Sequence, residues 1–194
     1  MKLVVLLGSI LLLSACGSMQ SQVVKKNVSF DPGSQAQIRS YGSYGSDLIR
    51  IYPETDCAKW EGTKRNAVNR RFVNGLPRKV RNISIGIPPT ELSRKTEKDT
   101  GFVFRDSYRE MVVSADQPVV LDGAFSSQTR NHHYSCRVAA SFTPKAGEAY
   151  EVRYLSEEEG CDIEVYHIGH EEKDGVRQTK KLTANYCARP GTSF

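Results

Sequence analysis

The chain alternates apolar and polar positions with a period of two over most of its length. Tyr134, Cys136, Val138, Ala140 and Phe142 alternate with Ser135, Arg137, Ala139 and Ser141, the pattern of a strand with one buried face. After the turn cluster Pro144-Lys145-Ala146-Gly147, Tyr150, Val152 and Tyr154 alternate with Glu151 and Arg153, so the two segments are predicted to form a hairpin. Further strands are expected over 35–40, 47–52, 80–87, 109–114, 119–125 and 161–168, bounded by Gly, Pro, Asn and Asp. Pro118 and Pro88-Pro89 punctuate strand ends. A last strand, Val176 to Cys187, follows the turn-rich stretch from Gly169 to Gly175. Only residues 90–98 suit a helix, with Thr90 as its N-cap. Leu92 is its sole apolar residue, so this helix is expected to be short and solvated. About eight closely spaced strands predict an all-β domain, an antiparallel β-sandwich or barrel with disulfides and at most one short helix.

The amino terminus breaks the pattern. Met1 and Lys2 precede an almost unbroken apolar run from Leu3 to Leu13, then Ser14, Ala15 and Cys16. A charged start, a short apolar core and small residues make a signal peptide. The run falls short of the about 20 residues a membrane span needs. Leu13-Ser14-Ala15-Cys16 resembles the lipobox of bacterial lipoproteins. That resemblance implies removal of residues 1–15 and a lipid anchor on Cys16, a thioether-linked diacylglycerol with fatty acyl chains such as palmitate. Gly17 follows where an inner-membrane retention signal would carry Asp, so the resemblance implies the outer membrane, with the domain facing the periplasm. The expected organisation is a signal peptide over 1–15, a lipid-anchored tether over 16–34 and a single β domain over 35–194. The tether is rich in Ser, Gln and Lys, although Val23, Val24, Val28 and Phe30 leave open a first strand within it. A tandem S-Y-G repeat over 40–46 is expected to be a loop, whose tyrosines could stack on sugar rings.

Cysteine usage agrees with export. Beyond Cys16 there remain Cys57, Cys136, Cys161 and Cys187, an even number that reads as two disulfides with three possible pairings. Cys161 and Cys187 lie equally far from Asp174, so a hairpin turning there would set them opposite one another. Cross-strand neighbours are about 4.5–5.5 Å apart, close to disulfide spacing. The expected pairing is Cys161–Cys187, with Cys57–Cys136 by elimination.

Composition and charge narrow the function only a little. With 25% charged residues and a mean hydropathy of −0.46, the chain fits a folded domain rather than a disordered segment or an integral membrane protein. Residues 59–81 carry Lys59, Lys64, Arg65, Arg70, Arg71, Arg78, Lys79 and Arg81 against one acid, Glu61, whereas residues 82–194 hold fourteen basic and seventeen acidic side chains. Such asymmetry attracts polyanions. Lipid phosphates, peptidoglycan carboxylates or an acidic protein partner suit this compartment, and nucleic acid does not. The sequence has no G-x-S-x-G elbow, H-E-x-x-H or phosphate-binding loop, and no cofactor is expected. The histidines form two pairs, His132-His133 and His167-x-x-His170, expected at opposite sheet ends and not as a metal site. The reading is a non-catalytic envelope lipoprotein, a binding or scaffolding module. The alternatives are an envelope enzyme acting on cell-wall polymer through carboxylates such as Asp106, Glu110 or Asp122, or an inhibitor of a hydrolase.

Overall fold

The alternation is realised as two packed sheets. The computed structural model describes residues 23–42, 48–64, 66–68, 72–73, 76–77, 81–99, 106–128, 130, 133–157 and 160–188. The expected signal peptide and Cys16 lie outside them, as do Tyr44, Arg65, Arg70, Arg71, Arg78, Lys79 and His132.

In chain order the elements are β1 (Val23–Lys25), β2 (Gln35–Gly42), β3 (Leu48–Tyr52), β4 (Asn66–Val68), β5 (Phe72–Val73), β6 (Leu76–Pro77), β7 (Asn82–Ser84), α1 (Glu91–Lys98), β8 (Ser107–Ser114), β9 (Val119–Gln128), β10 (His133–Phe142), β11 (Ala149–Glu157), β12 (Gly160–Lys173), β13 (Val176–Leu182) and β14 (Asn185–Tyr186). One sheet runs β1-β7-β8-β2-β11-β12-β13, the second runs β14-β10-β9-β3-β4, and β5 and β6 form a small ribbon. Pairings are antiparallel except β1 with β7, β7 with β8 and β2 with β11.

Alternation decides what lies between the sheets. Ala36, Ile38, Val113, Tyr150, Val152, Tyr154, Ile163 and Val165 of the larger sheet meet Ile49, Ile51, Val119, Leu121, Ala140 and Phe142 of the smaller one. This is a β-sandwich, and each fully buried aliphatic or aromatic side chain in it contributes about 1.5–3 kcal/mol. Tyr154 crosses β9 at Gly123, where an added Cβ would sit 2.2 Å from the tyrosine Cδ2. Only glycine allows so close an approach.

Four expectations are corrected. β10 and β11 do not form a hairpin: β10 pairs with β9 and β14, and β11 with β12 and β2. Each strand has one strongly apolar face, and facing across the core buries both, with the Phe142 and Tyr150 rings 5.2 Å apart. The connection between them spends its backbone groups on other elements. Asp116 N–H donates to the Pro144 carbonyl at 2.8 Å and Gly147 N–H to that of Gln35 at 2.9 Å.

The expected tether is not wholly outside the fold, since within it β1 pairs in register with β7 from Val23 to Lys25. The S-Y-G repeat is not all loop either. Ser40, Tyr41 and Gly42 complete β2, and Tyr41 is buried.

The disulfides are Cys57–Cys187 and Cys136–Cys161, with Cα atoms 5.0 and 6.0 Å apart. The expected Cys161–Cys187 and Cys57–Cys136 pairing fails although the β12–β13 hairpin exists and turns where expected, with Lys173 opposite Val176. The register shifts between Ile168 and Glu172, and β13 ends at Leu182. The chain then crosses to the other sheet, where β14 pairs with β10 and Cys187 N–H donates to the Ala139 carbonyl at 2.9 Å. Equal distance from a turn predicts opposition only for a hairpin that keeps both its register and its sheet.

Candidate functional site

β11 turns Tyr150, Val152 and Tyr154 into the core, so Glu151 and Arg153 face the other way. That outer face is not simply solvated. β2 adds Arg39 and Tyr41, β8 adds Tyr108 and Glu110, and residues 84–90 with α1 lie across them. Arg39, Tyr41, Tyr108, Glu110 and Glu151 are each at most 5% exposed.

Charges so buried must be paired. Arg39 Nη2 lies 2.7 Å from Glu110 Oε1, and its Nη1 lies 2.9 Å from Glu151 Oε1. Arg39 also donates to the carbonyls of Ile87 at 2.8 Å and Pro88 at 3.0 Å, and its guanidinium sits over the Tyr108 ring. Burial opposes its charge, but Tyr41, Glu110 and Glu151 outweigh it and hold the guanidinium firmly protonated. The other Glu110 oxygen accepts from Ser84 Oγ at 2.9 Å and from the backbone N–H groups of Ile85, Gly86 and Ile87 at 2.6, 3.1 and 3.2 Å. Gly86 has a φ of 104°, a left-handed conformation that glycine adopts without strain. It lets three consecutive donors converge on one carboxylate oxygen.

Glu151 Oε1 accepts from Tyr41 Oη at 2.6 Å and from Thr90 Oγ1 at 2.5 Å. Burial, then Glu151, push the Tyr41 phenol upward, so it remains a donor. Thr90 is also the N-cap of α1, accepting from Ser93 N–H at 3.2 Å, while Ser93 Oγ accepts from Thr90 N–H at 2.9 Å. The helix forms where expected. It is not fully solvated, because the small polar Ser93 and Thr96 are buried against the sheet.

A polar groove of about 350 Å³ opens beside this network. Glu91, Leu92 and Lys95 of α1 form one wall, Val176 to Thr179 of β13 the other, and Glu151, Arg153 and Tyr166 the floor. Arg153 Nε donates to Glu164 at 2.5 Å and Nη2 to Tyr166 Oη at 2.9 Å. Lys181 Nζ adds a contact to Glu164 at 2.7 Å. Burial raises the affinity of Glu164 for a proton, but the hydrogen bonds from Lys181, Arg153 and Tyr166 prevail and hold it below its ordinary range.

The sequence-predicted candidates are placed apart. Glu110 lies on the outer face of the larger sheet. Asp122 lies on that of the smaller one, between Arg50 and Arg137 at 2.8 Å each. Asp106 is exposed, and its N–H donates to Asp99 Oδ2 at 3.0 Å. No cleft brings the three carboxylates together. Of the basic segment, Lys59, Lys64 and Arg81 are exposed, while Trp60 is buried edge-on against Tyr52 with ring centroids 5.0 Å apart. His167 Nε2 lies 2.5 Å from Glu148 Oε2, whereas His133 is near the Cys136–Cys161 end of the sandwich. Among the described residues no three metal-ligating side chains converge.

The residues lining the groove had one signal in the sequence, the run of charges on alternate β11 positions. Nothing local distinguishes such a run from a solvated face, because the cover comes from a segment more than fifty residues away in the chain. No protein-family model, curated protein or solved structure matches this chain.

Proposed function

We propose that this protein is a non-catalytic envelope lipoprotein, a binding or scaffolding module held at the outer membrane through an acyl anchor on Cys16. The cysteine accounting carries the reading. Five cysteines are present, and four are consumed in two disulfides. The remaining one stands at the position the lipobox-like sequence requires. Disulfides belong to oxidising compartments, which supports export. Glu110 and Asp122 are each neutralised by arginine inside separate ion-pair networks, which favours a structural role for both over general acid–base work. The exposed Lys59, Lys64 and Arg81 support an anionic envelope component or acidic protein as partner.

The test is expression of the wild type and Cys16→Ser in a bacterial host with labelled palmitate, followed by membrane fractionation. The wild type is expected to take up label and sediment with outer membranes, and the variant to do neither. A Cys16→Ser protein that still sediments with membranes would refute the anchor.

A further inference from the structure

We infer that the groove between α1 and β13 is a binding site for a small zwitterionic ligand, one that carries a carboxylate together with an ammonium donor. The inference gives the binding module proposed above its ligand site. It rests on two uncommitted groups on one rigid strand. All three hydrogen bonds made by Glu151 fall on Oε1, which leaves Oε2 without a protein partner among the described residues at the floor of a groove that Glu151 lines. Arg153 spends Nε and Nη2 on Glu164 and Tyr166, which leaves the two N–H donors of Nη1 without a partner among the described residues.

Glu151 and Arg153 are two residues apart on β11, so their side chains leave the sheet about 7 Å apart. An acceptor and a guanidinium donor at that separation match an ammonium and a carboxylate on one small molecule. Lys95 and Arg177 on the walls add positive charge, and Glu91 and Glu151 offset it. This balance suits a carboxylate better than a doubly charged phosphate. The volume, about 350 Å³, is at the small end for ligand pockets, about 300–1,000 Å³. The floor is pre-organised: Arg39, Tyr41 and Thr90 fix Glu151, and Glu164 and Tyr166 fix Arg153. Such fixing lowers the ordering cost of binding.

The test is calorimetric titration of the purified full-length mature protein with meso-diaminopimelate, using N-acetylglucosamine and inorganic phosphate as controls. Saturable binding of diaminopimelate alone is expected. Lys95→Gln and Arg153→Gln should each weaken it about fivefold or more, as expected for loss of one charged contact. Lys95 is exposed on the helix, so its variant keeps the fold and keeps the test decisive. Absence of saturable heat with diaminopimelate, phosphate binding of equal strength, or affinity unchanged in both variants would overturn the proposal. Titrating the wild type beside its membrane fractionation separates the two readings. A wild type that binds diaminopimelate but is not retained by membranes defeats only the anchor, and a retained wild type that does not bind defeats only the site.

Discussion

Arg39 of β2 and Glu110 of β8 stand directly opposite each other in the strand ladder and form an ion pair of 2.7 Å in which neither side chain is more than 2% exposed. The pair sits at the centre of a network that ties two strands to the 84–90 segment, and Glu151 closes it from β11. A buried pair of this kind is weak evidence for net stabilisation, because desolvation of both charges opposes their attraction. Removing one partner is different, because it strands the other.

Arg39→Met is therefore expected to destabilise the fold by about 3–5 kcal/mol, since two carboxylates lose their shared cation. Urea denaturation measures it. A loss under about 1 kcal/mol, typical of an exposed pair, would contradict the network.

Gly123→Ala should also be costly, but through packing. Its Cβ would lie 2.2 Å from Tyr154 Cδ2 and 2.9 Å from Cγ, and the ring is buried with nowhere to retreat. Overpacking of this kind costs about 1–3 kcal/mol. Thermal unfolding of Gly123→Ala beside Gly123→Ala/Tyr154→Leu checks the cause. The second change should recover part of the loss only if the ring is what the methyl meets.

The contrast between these two positions shows what was legible in the sequence. The β character, the positions of most longer strands, the helix at Glu91–Lys98 and its Thr90 cap follow from period and local chemistry. The short β4, β5 and β6 fall where no strand is expected, and β14 leaves the last expected strand for the other sheet. Sheet membership does not follow from period. Whether Phe142 and Tyr150 lie side by side or face to face depends on competition between whole apolar faces, which a six-residue connection permits either way. The same non-local choice sends Cys187 to Cys57. The burial of Arg39 and Glu151 is not legible for a related reason: alternation tells which face a residue is on, and not what covers that face.

The pH dependence of stability should carry the mark of Glu164. Burial raises its proton affinity, but the hydrogen bonds from Lys181, Arg153 and Tyr166 together hold its folded-state pKa below the ordinary carboxylate value of 4.5. A depressed carboxylate contributes stability that is fully present above the unfolded value and is lost as pH falls through the folded one. Glu148, lowered by its bond to His167, acts in the same direction. Unfolding free energy should fall below pH 4.5, and Glu164→Gln should flatten that fall while lowering stability at neutral pH. An unaltered acid limb in the variant would assign the effect to other groups.

The disulfides should differ in worth. Cys57–Cys187 spans 130 residues and Cys136–Cys161 spans 25. In the chain-entropy model such loops correspond to about 5 and about 3.5 kcal/mol. Replacing Cys57 and Cys187 together by Ala is expected to cost more than replacing Cys136 and Cys161, as read from denaturation midpoints. Non-reducing peptide mapping of the wild type should recover Cys136 joined to Cys161, and a Cys161–Cys187 peptide would overturn the sheet crossing at residues 183–187.

Thr90 joins the helix to the charged network, and its substitutions should separate the two contributions. One hydroxyl accepts from Ser93 N–H as an N-cap and donates to Glu151 Oε1. Loss of an N-cap costs about 1 kcal/mol, and loss of a hydrogen bond to a charged group about 1.5–3 kcal/mol. Thr90→Ala is thus expected to destabilise by about 2–4 kcal/mol, more than a cap alone. Thr90→Ser keeps both bonds and should cost far less, chiefly the packing of one methyl group. Thr90→Asp offers a cap oxygen but sets a second carboxylate against Glu151, so it should resemble alanine near neutral pH and improve as the solution is acidified. Urea denaturation of the three variants at two pH values decides the matter. If Asp caps as well as Ser near neutral pH, the bond to Glu151 contributes nothing, and α1 is held to the sheet by its cap and its buried Ser93 and Thr96 alone.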